Sequence, residues 1–323
     1  MSVDVLTSGP VTVYAGRPGF EGANIHTWIG FKHFMYQIEE AALEYCRAHA
    51  LSPQRLFQEH GICLETVEAR VRLLHTLHMD DRVEVEVRPD KRAVPGELAL
   101  AVEMFVEAEG ERRKALTGKV QLLLRGSASA TAQTGLPAEA LALLHPAIDR
   151  SARHPAHDVS LPAAESADRG DMASLMRTAH ANAFVWPFRI PYFYCHYTDR
   201  LHYSGYVRLM EEVVDRFLAD RGISIRTMLE SRNWIPVVSE ARLEILREAL
   251  LEETAYTVFT VEDIMKDITF TARIEWYVVR AGEVIRTATG RITHGYVAIE
   301  DRSTGQLATF DAQTIAALRG GSQ

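Results

Sequence analysis

Two runs of apolar residues recur at steps of three and four: Phe34, Ile38, Ala41, Ala42 and Tyr45, then Tyr206, Leu209, Met210, Val213 and Phe217. Such spacing lays one apolar stripe along a 3.6-residue period, and predicts helices over residues 29–49 and 205–221. Gly222 suits the left-handed residue that closes the second helix. Beyond each helix the period becomes two, the mark of a half-buried strand. Strands are expected at ETVEARVRLL (65–74), RVEVEVR (82–88), LALAVEMFVEA (98–108) and KALTGKVQLLL (114–124), and at ITFTARIEWYVVR (268–280) and IRTATGRITHGYV (285–297). Glu109-Gly110-Glu111 and Ala281-Gly282-Glu283 supply turns between the last two strands of each set. A short extended stretch leads into each helix, VTVYA (11–15) and FVWPFRIPYFY (184–194), so the predicted order is strand, long helix and four strands in a meander. One long helix beside about five strands is buried only if the sheet wraps around it.

The two patterns are one segment written twice. Residues 20–126 and 192–298 match at a constant offset of 172 positions, the distance from Asn24 to His196. Tyr14 answers to Trp186, Arg17 to Arg189, Phe20 to Tyr192, Phe34 to Tyr206 and Ser52 to Ser224. Glu39-Glu40 answers to Glu211-Glu212, Glu68-Ala69-Arg70 to Glu240-Ala241-Arg242, and Thr117-Gly118-Lys119 to Thr289-Gly290-Arg291. A fixed offset over a hundred residues signals duplication and fusion. The expected organisation is a first unit over 10–128, a linker over 129–181 with a short helix in LPAEALALLHPAI, a second unit over 182–300, and a polar tail over 301–323.

Composition adds bounds. With 323 residues, 47% hydrophobic, the chain can build two cores. The formal charge of −8 without a basic stripe argues against a nucleic-acid partner. No apolar run of membrane-spanning length occurs, so no membrane segment is expected. Three cysteines, Cys46, Cys63 and Cys195, cannot all pair and suit a reducing cytoplasm. Neither a metal-ligand spacing nor a glycine-rich nucleotide fingerprint occurs, so no metal and no cofactor are expected.

A long helix wrapped by antiparallel strands and approached through an aromatic-rich loop resembles the hotdog fold. More narrowly, the chain resembles the 4-hydroxybenzoyl-CoA thioesterase and acyl-ACP thioesterase superfamily. The second copy carries the family's pattern as Tyr192, His196, Gly205-Tyr206, Arg208 and Glu211-Glu212; the first carries it as Phe20, Asn24, His33-Phe34 and Glu39-Glu40. Family members pair two such units, and a tandem supplies the pair within one chain. The implied fold class is α+β, a tandem (double) hotdog. The implied activity is hydrolysis of an acyl thioester, on CoA or acyl carrier protein, with a polyketide or fatty acyl chain. The family's catalytic Asp position holds Asn24 in one copy and His196 in the other. Asn there resembles the thioesterases of enediyne polyketide pathways, whose helix arginine is here Ala42 or Val214.

Thioester hydrolysis needs a held oxyanion, which helix N-terminal N–H groups can provide, and a base for water. Both copies place candidates just before their helix, and one cleft is expected to dominate, the second-copy entry, where His196 holds the family's acid position and titrates near neutral pH as a base should. In CHYTDRLHYSGY, His196 is the candidate base, with Asp199 and His202 orienting it or binding substrate; the plainer reading makes Asp199 a turn cap and the histidines buried hydrogen-bonders. In GANIHTWIGFKHF, Asn24 and His26 are candidates for positioning and activating water, and His33 for holding substrate. Trp28, Phe31, Tyr36, Tyr203 and Tyr206 divide between core and acyl-channel wall. Glu39-Glu40 and Glu211-Glu212 read either as a base or as acidic pairs answered by Arg70 and Arg242, and the second reading is preferred. Cys195 reads as a buried structural thiol, facing away from His196 on an extended strand. Two further functions stay open: a hotdog dehydratase or hydratase, because His26 to Gly30 matches the start of that signature, and an acyl-thioester binding protein without catalysis. Self-association of the tandem into a homodimer is compatible with either.

Overall fold

The computed structural model describes residues 6, 9–91, 94–126, 136, 138–154, 172–174, 176, 182–195, 197–302 and 304–320. The chain divides into two compact units, Met1–Ile148 and Asp149–Gln323.

The first unit runs β1 (Thr12–Gly16), α1 (Phe31–Ala48), α2 (Pro53–His60), β2 (Ile62–Leu73), β3 (Val83–Pro89), β4 (Leu98–Ala108), β5 (Glu111–Gly126), α3 (Ala138–Ala142) and β6 (Leu144–His145). The apolar stripe of α1 is what the helix buries: Phe34, Met35, Ile38, Ala41, Ala42 and Tyr45 are all within 1% of full burial. Their partners are the inward residues of alternating strands, such as Val83, Val85 and Val87 on β3, and α1 touches all five long strands. The sheet order is β1-β3-β4-β5-β2. The expected meander therefore holds only for β3-β4-β5, while β2 pairs with β5 and β1 with β3. The reason lies in the connections. The β4–β5 turn is tight, with Glu109 at φ 54° and Gly110 at φ 76° as a primed hairpin turn requires. The β2–β3 connection 74–82 is too long for a hairpin and is tied instead to the loop that precedes α1.

The second unit repeats this plan with β7 (Phe184–Arg189), α4 (Tyr203–Asp220), α5 (Ile225–Arg232), β8 (Trp234–Ile245), β9 (Thr254–Met265), β10 (Thr269–Arg280) and β11 (Glu283–Ile299), followed by β12 (Gly305–Leu307) and α6 (Ala312–Leu318). Its order is β8-β11-β10-β9-β7, with β12 on β11. The 172 offset survives in detail. Helices α1 and α4, α2 and α5, and strands β2 and β8 coincide end to end, and the bulge residue Val67 on β2 recurs as Ser239 on β8. Each unit is a hotdog, a long helix wrapped by an antiparallel sheet, and the chain is a tandem of two.

Two local expectations change. The short helices α2 and α5 are additions to the predicted order; Ser52-Pro53 and Ser224 begin them, and Gly61 and Asn233, both at positive φ, end them. The extended lead-in of the second copy stops at Arg189, and Tyr192–Tyr194 form a 3-10 turn, because Pro191 withholds the N–H that would continue the ladder.

Segments between the two repeats fasten onto the outer face of the second unit. Glu244, 1% exposed, receives the Arg150 guanidinium at 3.1 Å, His154 Nε2 at 2.7 Å and Arg242 at 2.9 Å. Met172, Ala173 and Met176 pack on Val185, Tyr256, Val258 and Tyr277.

Candidate active site

The loop before each long helix is built twice by the same hydrogen bonds. In the first unit the N–H of Gly22 donates to Gly19 O (2.8 Å), Ala23 to Phe20 O (3.2 Å), Gly30 to Gly22 O (2.9 Å), Ile29 to Leu77 O (2.8 Å) and Met79 to Thr27 O (3.1 Å). In the second, Tyr194 donates to Pro191 O (3.1 Å), Cys195 to Tyr192 O (3.0 Å), His202 to Tyr194 O (3.2 Å), Leu201 to Ala249 O (2.8 Å) and Leu251 to Asp199 O (2.7 Å). Each pair is related by the offset. On this shared frame the side chains differ.

In the first unit the 3-10 turn Phe20–Gly22 carries Glu21 up to the first turn of α1. Lys32 Nζ donates to Glu21 Oε1 at 3.0 Å, and His33 Nε2 lies 3.9 Å from Glu21 Oε2. His33 is buried, and its ring lies on backbone that only glycine allows: a Cβ on Gly22 would sit 2.4 Å from the imidazole Cγ. The N-cap of α1 is Gly30, with no side-chain cap on the first-turn amides. An imidazole, a carboxylate and a helix N-terminus thus converge, the parts that activate a nucleophile and hold an oxyanion.

Asn24 and His26 lie on the same loop. The Asn24 N–H donates to Trp28 O at 2.7 Å, and His26 takes φ 74° at the loop's tip, a left-handed conformation that histidine adopts more readily than most. Trp28 is buried, and Thr27 Oγ1 meets His78 Nδ1 at 2.8 Å.

In the second unit the position of His33 is Gly205 and that of Gly22 is Tyr194. A Cβ on Gly205 would meet the Leu201 side chain at 2.8 Å and the backbone Tyr194 O at 2.9 Å, so this position too favours glycine. His202 is the N-cap of α4; its Nδ1 accepts from Gly205 N–H at 3.0 Å and meets Ser204 Oγ at 2.9 Å. That network assigns the neutral ring's proton to Nε2. Asp199 is exposed, and its carboxylate lies 3.7 Å from the Arg200 guanidinium. His196 lies outside the described residues. Tyr203 and Tyr206 are fully enclosed, Tyr206 edge-on to Trp276 with ring centroids 5.3 Å apart; burial pushes its phenol pKa up. Cys195 follows the 3-10 turn instead of lying on a strand, is buried as expected, and burial raises its thiol to about 11.

One member of each acidic pair has a partner on its own helix: Arg47 lies 3.9 Å from Glu40, and Arg216 lies 2.7 Å from Glu212. Arg242 lies 2.9 Å from Glu244. Sequence reasoning missed Glu21 and Lys32, whose meeting depends on the 3-10 turn, although Lys32 directly precedes a candidate in FKHF. Among the described residues, no three His, Cys, Asp or Glu side chains converge as a metal site requires, and no helix is long and apolar enough to cross a membrane.

No family profile and no curated protein sequence matches the chain. Solved structures do match along nearly its whole length. A protein assigned as an oleoyl thioesterase, from Lactobacillus plantarum, superposes with a TM-score of 0.57 at 12% identity, over 90% of this chain and 98% of its own. The 12:0-ACP thioesterase of Umbellularia californica gives 0.56 at 12%, over 88% and 97%. An acyl-ACP thioesterase of Bacteroides thetaiotaomicron gives 0.54 at 8%, over 91% and 100%. The fold is therefore that of the double-hotdog acyl thioesterases.

Proposed function

We propose that the chain hydrolyses an acyl thioester carried on CoA or acyl carrier protein, and that the first unit's helix N-terminus is the principal working site. The carrying observation is the Glu21–His33 contact beside the uncapped start of α1. His33, oriented by Glu21, takes a proton from water as the water adds to the thioester carbonyl. Amides at the N-terminus of α1 receive the oxyanion. Collapse of the tetrahedral adduct breaks the C–S bond, and the imidazolium returns its proton to the departing thiolate, giving free acid and thiol. Lys32 neutralises the second oxygen of Glu21 and keeps the carboxylate in place. Asn24 and His26, on the same loop, are assigned to the carbonyl and the water in this reading, and Trp28 to the acyl chain.

The second unit offers the competing assignment. There His196 occupies the family's acid position, with Asp199 and His202 beside it in sequence. The exposed, Arg200-paired carboxylate of Asp199 and the capping role of His202 favour the first unit.

The test is thiol release from a panel of acyl-CoAs and acyl carrier proteins. His33→Ala is expected to lower kcat/KM by about 10²–10⁴, with His196→Ala close to wild type. The reverse order moves the site to the second unit. A change in enoyl absorbance without thiol release indicates a dehydratase. Binding without either indicates a non-catalytic acyl-thioester protein.

A further inference from the structure

The interiors of the two units differ in polarity at matched positions. On the first unit's face Phe34, Val85, Leu98, Met104, Ala115, Leu122 and Leu124 are buried hydrocarbon. At the matching positions the second unit carries Tyr206, Thr257, Phe270, Trp276, Thr287, His294 and Tyr296, all completely or almost completely buried. Six of these seven replacements add a hydrogen-bonding atom, whereas at Thr66 and Tyr45, matched by Val238 and Phe217, the second unit has lost one. Four of the added atoms, Thr257 Oγ1, Trp276 Nε1, His294 Nδ1 and Tyr296 Oη, have no hydrogen-bond partner among the described residues. Each such atom costs more than an ordinary hydrogen bond returns, and native cores hold few of them.

The four atoms belong to one tract. Thr257 and Trp276 are cross-strand partners on β9 and β10, and Trp276 meets Tyr206 on the first turn of α4. Six residues back along β10, roughly 20 Å at strand rise, Phe270 faces His294 across the ladder and stacks on it at 4.8 Å. Tyr296 stands 5.5 Å from His294, and Phe310 of the tail closes the far end, 5.9 Å from Tyr296. The tract thus begins beside a helix N-terminus and ends in an aromatic wall, with donors and acceptors at intervals.

The geometry points to the interior of the second unit as the binding site for an acyl chain that carries oxygen substituents, hydroxyl or keto groups along its length. The inference rests on the acyl-thioester reading above. Thr257 Oγ1 and Trp276 Nε1 contact oxygens at the α4 end of the chain, and His294 Nδ1 and Tyr296 Oη those at the Phe310 end. Burial keeps the His294 imidazole neutral, so it offers one donor and one acceptor and carries no charge.

The deciding experiment uses non-hydrolysable acyl-CoA thioethers of one chain length, saturated, hydroxylated or keto-bearing, titrated by calorimetry into the full chain. The wild type is expected to bind the oxygenated chains at least about tenfold tighter than the saturated one. Thr257→Val and Tyr296→Phe, which delete little more than the polar atom, are expected to erase that preference and leave saturated binding unchanged. Equal affinities in the wild type, absence of binding, or a preference that persists in both variants overturns the proposal and assigns the four atoms to buried water. The thiol-release assay is independent: its failure ends the hydrolase reading, while the binding ratio still decides this one.

Discussion

His294 gives the sharpest quantitative handle on the second unit. Its ring is 1% exposed, stacked on Phe270 and set against Tyr296, and burial alone lowers its pKa from 6.5 to about 3. The direction of the linkage follows directly. The unfolded chain binds a proton as pH falls through 6.5, and the folded chain does not until about 3. The neutral-ring contribution to stability is therefore complete above 6.5 and is lost as pH falls through that window. A single site of this kind tilts stability by about 1.4 kcal/mol per pH unit inside the window, or about 2 kcal/mol between about pH 7 and about pH 5.

His294→Leu installs the residue that stands at the matching position, Leu122, and removes the titration. Urea unfolding followed by tryptophan fluorescence reads the right unit, because Trp186, Trp234 and Trp276 lie in it and Trp28 alone lies in the other. Carboxylates held below their ordinary range by partners, such as Asp149 and Asp311, also lose stability on acidification. They do so in both proteins and cancel in the comparison. The wild type is expected to lose about 2 kcal/mol more than the variant between the two pH values, whatever their difference at neutral pH. Parallel stability curves would mean that the imidazole is protonated in the fold, and would refute the argument.

Three other outcomes are expected. Arg150→Ala removes one partner of a carboxylate that is 1% exposed, and with Arg242 and His154 still present the cost should be about 3 kcal/mol, read as a fall in unfolding midpoint; an unchanged midpoint would show Glu244 to be neutral or hydrated. Cys46, Cys63 and Cys195 are all buried, and burial raises the Cys46 thiol to about 12 and that of Cys195 to about 11, so a thiol reagent should label the native chain slowly and three sites only after denaturation. Gly22→Ala should displace the imidazole that lies 2.4 Å from the added Cβ and lower both stability and thiol release; adding His33→Gly should restore the stability but not the turnover, and recovery of both would remove His33 from the chemistry.

The sequence made the duplication and both long helices legible because they are written in period and offset, which are local or self-referential signals. Helix α1 and its copy α4 lie within two residues of the predicted ends. Strand neighbours were another matter. Alternation in β2 says which face is buried, but the choice between β3 and β5 as its partner depends on how the 74–82 connection is tied down. Helices α2 and α5, eight residues each, are too short for a clear stripe, although Ser52-Pro53 and Gly61 bracket the first. The site was half legible for a similar reason. Loop residues such as Asn24, His26 and His33 stand out by type, whereas Glu21 matters only because a 3-10 turn lifts it to the helix. His294 was invisible inside a strand pattern, where a histidine in a buried slot looks like any other alternating residue.

Fusion of two copies explains why these differences can coexist. A chain that must serve two identical sites is constrained at every matched position, and here the backbone frame is constrained in that way, down to the same hydrogen bonds in the two leading loops. If one copy supplies the chemistry, as proposed above, the side chains of the other are free to diverge on that frame. The first copy keeps an imidazole on a glycine bed, with a carboxylate in reach, over a mostly apolar interior. The second has Gly205 at the imidazole position, packed against Leu201 and the Tyr194 backbone, and accumulates buried polar atoms that would only destabilise a core with nothing to recognise. Their clustering along one tract of the second unit, from Thr257 and Trp276 to His294 and Tyr296, is what recognition of an oxygenated chain in that unit would leave behind.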